Sequence, residues 1–300
     1  MPELVPTYAT AVNTWQCDEN AHLNVQFYTE FGHEASAQLM TSLGLGRRAQ
    51  AAAGLSVRAA QDHIRYLREF RVIDPVAVRS APVEVGEFHL VVYHEIRNSG
   101  DTSGDGAIAS TVRRRIVSNK PWPAAFRNAA DAARIDLPSG AKPRGVGEGA
   151  LPELTLADAH RVGLTEVGRS TIKPFECDEN GELLPRHQTG RYSDGAPIIW
   201  NNMGFDRAAM QQRQEGSVVV EMMQYYRRPL VAGDAAIVMS GLADHGDKIV
   251  KLAHFIFEAE TGMLAACAEA VGVKFDQKIR KVMAFSEEER TWLVARKLRW

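Results

Sequence analysis

The chain has 300 residues, of which 45% are hydrophobic and 24% charged, and its formal net charge is −2 at pH 7. This is the composition of a globular protein long enough for two domains, each able to bury its own core. The near-neutral charge excludes the strongly basic class and gives no reason to expect nucleic acid or an anionic membrane as a partner.

The cysteines and the N-terminus indicate the compartment. Cys17, Cys177 and Cys267 cannot all pair, and none of their spacings is typical of a metal site, which favours a reducing environment. The first residues lack the basic region and apolar core of a signal peptide. The apolar runs are shorter than the roughly 18 residues of a membrane span. We therefore expect a cytoplasmic protein with no metal and no cofactor.

The first half of the chain, residues 1–120, predicts one long helix and a run of strands. Apolar residues recur at i+4 steps between 24 and 43 and form one stripe of a helix, and Gly44 follows as its C-terminal cap. Segments rich in Val, Ile, Phe and Tyr, separated by turn residues, predict antiparallel strands. The predicted strands are 7–15, 62–73, 76–85, 87–97 and 108–118. This pattern indicates an α+β unit.

Residues 121–158 are rich in proline and glycine and predict a linker. Its Gly-Val-Gly-Glu-Gly segment, 145–149, has the glycine spacing of a phosphate loop. However, no strand precedes it and no amphipathic helix follows closely, so we interpret it as flexible linker.

Residues 159–285 predict the same plan again, with strands at 164–175, 217–228, 235–242, 248–258 and 264–274. Gly195 and Pro197 interrupt the equivalent helix, because proline removes an amide donor and clashes with the preceding turn. Residues 286–300 predict a last helix, which Ser-Glu-Glu-Glu would open as a capping box.

An internal repeat explains the duplicated plan. The tetrapeptide Cys-Asp-Glu-Asn occurs at 17–20 and again at 177–180, an offset of 160 residues. The same offset, without a gap, aligns Leu23 with Leu183, Gly44 with Gly204, Tyr66 with Tyr226 and Asp74 with Asp234. The chain is therefore two related units in tandem.

The two copies differ in their polar residues. His22 faces Glu182, Asn24 faces Leu184 and Glu69 faces Pro229. Because the second copy keeps the fold without these residues, they are the candidates for chemistry in the first copy.

The first motif combines the groups needed to attack an acyl carbonyl. In an extended segment Asp18, Asn20 and His22 would project to one side, beside the start of the helix. A carboxylate can act as base or nucleophile, an imidazole can carry a proton, and an amide can orient the substrate. Free N–H groups at a helix N-terminus suit an oxyanion. The structural alternative is that Asp18 and Asn20 cap the helix and His22 packs.

These residues resemble a known pattern. Residues 18–24, Asp-Glu-Asn-Ala-His-Leu-Asn, followed by Tyr28, resemble the Asp-x-Asn-x-His-x-Asn-Asn motif of hotdog-fold thioesterases, particularly the acyl-ACP thioesterases. Residues 66–69, Tyr-Leu-Arg-Glu, resemble the Tyr-Arg-Arg-Glu segment of that group, and Asp18 also matches the aspartate of the 4-hydroxybenzoyl-CoA-thioesterase-like branch. Val25 departs from the motif, since the family often has a second asparagine there.

The resemblance implies a fold and a set of site residues. It implies two tandem hotdog units, each a long helix wrapped by a curved antiparallel sheet, that form a pseudo-dimer within one chain. It also implies that Asp18, Asn20, His22 and Glu69 are catalytic and that Asn24, Tyr28 and Arg68 bind substrate. The expected reaction is hydrolysis of an acyl-CoA to free acid and CoA.

Three alternatives stay open at this point. They are an acyl-ACP thioesterase, a hotdog enoyl-CoA hydratase or dehydratase, and a non-catalytic acyl-CoA-binding module. The hydratase motif places Asp and His one residue further apart than Asp18 and His22, which favours the thioesterase. A tandem chain can be a monomer or form a homodimer, and the sequence allows both.

Overall fold

The computed structural model of the protein describes residues 3–18, 20–101, 108–147, 149 and 151–300. Glu19 of the first motif, 102–107 of a predicted turn and Glu148 of the glycine-rich segment lie outside the described residues. The chain divides into two compact units, Met1–Lys142 and Pro143–Trp300. None of the described helices is both long and apolar enough to cross a bilayer.

The first unit is a long helix packed on an antiparallel sheet. Its sheet order is β1-β3-β4-β5-β2. The strands are β1 Val5–Ala11, β2 Val57–Tyr66, β3 Pro75–Val85, β4 His89–Asn98 and β5 Ile108–Ser118, and the helices are α1 Val25–Ser42, α2 Arg47–Ala53 and α3 Ala124–Ala132. The predicted α+β organisation is confirmed.

Helix α1 occupies almost the whole of the range predicted for it. Its apolar stripe, including Phe27, Phe31 and Leu39, is buried against the sheet. Gly44, just past its end, has φ +86, a conformation that costs glycine little because it has no Cβ.

The second unit repeats this plan with a broken helix. Its sheet order is β7-β10-β9-β8-β6, and β11 pairs with β10. The strands are β6 Thr165–Thr171, β7 Glu215–Tyr226, β8 Ala235–His245, β9 Ile249–Glu258, β10 Leu264–Asp276 and β11 Lys281–Val282, and the helices are α4 Leu156–Arg161, α5 Pro185–Asp194, α6 Ala196–Asn202, α7 Arg207–Gln212 and α8 Glu287–Arg296.

The break between α5 and α6 has a packing reason as well as the predicted backbone one. A Cβ placed on Gly195 would stand 2.6 Å from Val167 Cγ2, so only glycine allows the helix to approach β6 this closely. The interruption predicted at Gly195 and Pro197 is confirmed.

The glycine-rich segment differs from the flexible linker predicted for it. Glu221, buried on β7, accepts hydrogen bonds from the backbone N–H groups of Arg144 at 2.9 Å and Gly145 at 2.6 Å. Glu269 accepts one from Gly147 at 2.7 Å. A Cβ on Gly145 would stand 2.8 Å from Val271 Cγ2. The glycines here allow the backbone to lie close on the sheet, where two carboxylates hold it.

Each unit buries one histidine at an equivalent position of the repeat. His94 Nδ1 lies 2.6 Å from Ser80 Oγ, and His254 Nδ1 lies 2.9 Å from Ser240 Oγ. Burial, together with the nearby Arg114, lowers the pKa of His94 to about 3. Burial lowers the pKa of His254 to about 4.

These lowered pKa values make the free energy of unfolding depend on pH. Between pH 6.5 and the folded-state values the unfolded chain binds more protons, so the free energy of unfolding falls as the pH falls, by at most about 1.4 kcal/mol per pH unit for each histidine. Well above pH 6.5 both histidines are neutral in the folded and in the unfolded chain, so neither makes the free energy of unfolding depend on pH. We expect His94→Gln to lose less free energy of unfolding between pH 7 and pH 5 than the wild type does, because the contribution of His94 is gone. Urea unfolding at the two pH values measures both losses. The same loss in variant and wild type would contradict this.

Candidate active site

The first motif forms a tight turn rather than the extended segment predicted from alternation. The backbone N–H of Asp18 donates to His22 O at 2.8 Å, and that of Ala21 donates to Asp18 O at 3.0 Å. Ala21 has φ +58. The prediction that Asp18, Asn20 and His22 project to one side of an extended strand is therefore wrong, because a hydrogen-bonded turn closes between Cys17 and Leu23.

The Asp18 carboxylate holds this turn together. Its Oδ1 accepts from the backbone N–H groups of Asn20 at 2.9 Å and His22 at 3.1 Å. Asp178 Oδ1 accepts equivalent bonds, at 2.8 Å from Asn180 and 3.0 Å from Glu182. This half of the carboxylate therefore serves the fold in both copies. Among the described residues, no hydrogen bond reaches Asp18 Oδ2.

The structure brings together two of the predicted catalytic residues that are far apart in sequence. His22 Nε2 lies 3.2 Å from Glu69 Oε2, and their side chains are 15% and 25% exposed. His22 also forms a β-bridge with Arg71, whose Nη2 lies 3.3 Å from the same ring nitrogen. That nitrogen can donate a proton to the Glu69 carboxylate or accept a hydrogen bond from the Arg71 guanidinium, but not both at once.

Asn24 is the N-cap of helix α1. Its side-chain oxygen accepts from the backbone N–H of Gln26 at 3.1 Å. Asn24, predicted to bind substrate, therefore caps the helix. Asp18 and Asn20, which the structural alternative had as caps, do not.

The backbone amide of Val25, the first residue of α1, is the candidate for the oxyanion-binding N–H that the sequence places at the helix start. Gln26 N–H bonds the cap, and Phe27 N–H bonds Asn24 O. The Val25 N–H has no hydrogen-bond partner in the described part of the chain. At the equivalent position the second copy has Pro185, the first residue of α5, and proline carries no N–H. The signal was present in the sequence as this Val-to-Pro difference.

Tyr28 and Arg68 lie in different environments. Tyr28 is buried, its hydroxyl donates to the Arg68 carbonyl at 3.4 Å, and its ring packs edge-on against Tyr66 with centroids 5.2 Å apart. Burial raises the pKa of Tyr28 well above its ordinary value. The Arg68 guanidinium is 55% exposed and pairs with Asp101 at 3.3 Å.

The second copy keeps the turn and lacks the imidazole and the carboxylate that meet in the first copy. Glu182 stands in place of His22 and forms a β-bridge with Val231, the counterpart of Arg71. Pro229 stands in place of Glu69. No imidazole–carboxylate pair forms at these positions.

Fold and site together define a class: two helix-on-sheet units of the hotdog type, with an imidazole–carboxylate pair in the first. The family model described as the thioesterase-like superfamily matches residues 12–122 and 172–293, which is more than half of the chain. The chain belongs to that superfamily. No curated protein sequence matches it significantly.

Solved structures share the fold over nearly the full length. A proposed oleoyl thioesterase from Lactobacillus plantarum superposes with a TM-score of 0.68 and 13% identity, over 91% of this chain and 96% of that one. An acyl-ACP thioesterase from Bacteroides thetaiotaomicron gives 0.66 and 11%, over 88% and 96%. A 12:0-ACP thioesterase from Umbellularia californica gives 0.63 and 11%, over 89% and 93%. At these identities the likeness shows the fold alone.

Proposed function

We propose that the chain hydrolyses an acyl-CoA thioester to free acid and CoA at the site of its first copy. One observation carries the proposal: His22 lies 3.2 Å from Glu69, in a turn closed by Asp18 at the start of α1. The second copy keeps the turn and lacks the pair. Membership of the thioesterase-like superfamily supports the reaction class.

In this mechanism the Asp18 carboxylate, through Oδ2, activates water or itself attacks the thioester carbonyl. The carbonyl oxygen takes up negative charge and accepts a hydrogen bond from the Val25 N–H, where the helix dipole also favours an anion. The C–S bond then breaks. The sulfur leaves as a thiolate that takes up a proton. Where water attacks, its oxygen stays on the acyl carbon as the carboxylic acid. Where Asp18 attacks, the product is a mixed anhydride, which water then hydrolyses to the free acid and the Asp18 carboxylate.

His22 and Asn20 position the thioester, and Glu69 assists proton transfer. Glu69 and Arg71 both approach Nε2 of the imidazole. The carboxylate favours the charged form of the ring, and we assign to the imidazole the transfer of a proton to the leaving sulfur. Tyr28 is buried in the core and bonds the Arg68 carbonyl, so we assign it an indirect role, that of holding the segment before Glu69 in place.

The proposed substrate carries its acyl group on CoA. An acyl carrier protein is the alternative to CoA, because two structures of similar fold are thioesterases of acyl-ACP. Both carriers present the same thioester, so the proposed chemistry is identical and the contacts outside the reacting atoms distinguish them.

Free-thiol release from short, medium, long and aromatic acyl-CoAs, and from the same acyl groups on carrier protein, tests the function. We expect thiol release from at least one acyl-CoA, and any loss of enoyl absorbance with enoyl-CoA should be matched by thiol release. Loss of that absorbance without thiol release would identify a hydratase instead. Tight acyl-CoA binding without turnover on any substrate would identify a binding module.

A further inference from the structure

Arg71 is a charged residue of the first-copy site that has no role in the reaction described so far. Its Nη2 lies 3.3 Å from His22 Nε2, and Glu69 Oε2 lies 3.2 Å from the same atom. A cation and an anion therefore meet at one ring nitrogen. Within the described part of the chain, the Arg71 guanidinium makes no other hydrogen bond or ion pair. The imidazole is thus the partner of this side chain.

The backbone brings Arg71 to the imidazole. Arg71 forms an antiparallel β-bridge with His22, and residues paired in this way have their Cβ atoms roughly 5 Å apart, on the same side of the two segments. The Arg71 N–H donates to Asp74 Oδ2 at 2.8 Å, and the Leu23 N–H donates to Phe70 O at 2.9 Å. The turn after β2 is therefore fixed against the motif turn at the point where the guanidinium lies.

The second copy keeps these backbone contacts without the side chains. Glu182 and Val231 form the equivalent β-bridge, and the Val231 N–H donates to Asp234 Oδ2 at 2.8 Å. A valine therefore suffices for the turn, and the shared fold does not require the guanidinium. The three side chains that meet at the ring nitrogen are all replaced in the second copy: His22 by Glu182, Glu69 by Pro229 and Arg71 by Val231.

The two charged neighbours act on the imidazole in opposite directions. A carboxylate close to the ring stabilises its protonated form, and a guanidinium destabilises that form. The distances of 3.2 Å from Glu69 and 3.3 Å from Arg71 are nearly equal, so the two effects oppose each other with comparable strength. A group that passes a proton on must reach both of its forms, and a carboxylate alone would favour only the charged one.

The other charged side chains described on these two segments have contacts of their own. They are Asp18, Arg68 and Asp74. Asp18 Oδ1 accepts the backbone N–H of His22 at 3.1 Å. Asp74 Oδ2 accepts that of Arg71, and Arg68 is 55% exposed and already paired with a carboxylate. All three are retained in the variants below, so differences between those variants report the two charges at Nε2.

We propose that Arg71 is a positioning residue for the imidazole–carboxylate pair: its guanidinium competes with Glu69 for His22 Nε2 and offsets the carboxylate charge, so that the imidazole can both take up and release a proton. The use of that proton at a leaving sulfur rests on the proposed function. The balance of charge at the ring does not, and it can be measured without any substrate.

Titration of the His22 ring, followed by histidine NMR on the full chain, tests this balance. The His22 signal is identified by its absence from the spectrum of His22→Ala. We expect Arg71→Gln to raise the titration midpoint of His22 by about one pH unit and Glu69→Gln to lower it by about one unit, because each removes one adjacent charge. Glu69→Gln/Arg71→Gln should return the midpoint close to that of the wild type. An unchanged midpoint in Arg71→Gln would overturn the proposal.

Two further variants separate the charge of Arg71 from its packing. Arg71→Lys keeps the positive charge and should titrate within about half a unit of the wild type. Arg79→Gln removes another exposed arginine of the same unit, whose guanidinium donates to the Leu4 carbonyl at 2.8 Å, and should leave the His22 midpoint unchanged. A shift in Arg71→Lys as large as that in Arg71→Gln would refute an effect of charge.

The pH dependence of thiol release connects this balance to the reaction. The limb of the kcat/KM profile that reports His22 should move up by the same unit in Arg71→Gln and stay in place in Arg79→Gln. A limb that stays in place while the NMR midpoint moves would refute the positioning role. A wild-type protein that releases no thiol would refute the proposed function, and the NMR titration would still decide whether Arg71 offsets Glu69.

Discussion

Asp18→Asn and His22→Ala should each lower kcat by about 10²–10⁴-fold, the range by which a positioned acid or base accelerates a reaction. In Asp18→Asn the amide oxygen can still accept the bonds from Asn20 and His22, so the turn survives and only the carboxylate chemistry is lost. In His22→Ala the pair with Glu69 is lost. Steady-state thiol release gives kcat, and circular dichroism checks the fold.

The second copy supplies matched controls for these variants. Asp178→Asn makes the same change in the same kind of turn, and Glu182→Ala truncates the residue that stands in place of His22. We expect both to keep wild-type kcat. Equal losses from Asp18→Asn and Asp178→Asn would mean that the aspartate matters only for the turn.

Arg114→Met should destabilise the first unit by about 3–5 kcal/mol, because it leaves the buried Asp62 carboxylate without its partner. Arg114 Nε and Nη2 donate to the two oxygens of Asp62 at 2.7 and 2.5 Å, and both side chains are almost completely buried. Nη2 also reaches the Thr29 carbonyl, in α1, at 3.3 Å. Urea unfolding followed by fluorescence measures the loss.

The repeat again suggests the control. Met222 stands in the second copy where the first has Asp62, so an apolar residue is compatible with this position of the fold. We expect Asp62→Met/Arg114→Met to recover most of the stability, since no buried charge is then unpaired. Arg169→Met, which breaks the exposed pair with Glu166, should unfold like wild type. A double variant less stable than Arg114→Met would contradict this explanation.

The helices and strands were largely predictable because their signals are local. The i+4 stripe from Phe27 to Leu39 placed α1, and Pro197 with Gly195 placed the break in the second helix. Strand ends were less accurate. Strand β2 ends at Tyr66, whereas apolar residues up to Ile73 had extended the prediction, because a residue buried in a turn, such as Phe70, looks in the sequence like a residue buried in a strand.

The candidate residues could be chosen from the sequence, but their geometry could not be predicted from it. The prediction from side-chain alternation required an extended motif, whereas Ala21 adopts a left-handed conformation and the motif is a turn. Its counterpart, Gly181, with φ +81, was the available signal for a turn. The contact between His22 and Glu69 depends on how a turn after β2 meets the first motif, and a spacing of residues along the chain does not determine such a distance.

The glycine-rich segment between the two units was also predicted without knowledge of its distant contacts. A glycine-rich segment between two units predicts freedom, yet Gly145 lies on β7 and β10 because Glu221 accepts its N–H and no Cβ intervenes. Glycine allows both mobility and close approach, and only the partner residues, distant in sequence, decide between them.

Val25→Pro removes the amide that is proposed to hold the oxyanion at the start of α1, and gives the first copy the residue that the second copy has at this position. Proline is accepted at the first position of a helix. Asn24, with φ −63 and ψ 142, already has the conformation of Leu184, which precedes Pro185 with φ −62 and ψ 143. Val25→Ala, which keeps the N–H, is the control. We expect kcat for thiol release to fall by about 10²–10³-fold in Val25→Pro, with an unchanged melting curve, and to stay at the wild-type value in Val25→Ala. Full activity in a folded Val25→Pro protein would show that this amide does not hold the oxyanion.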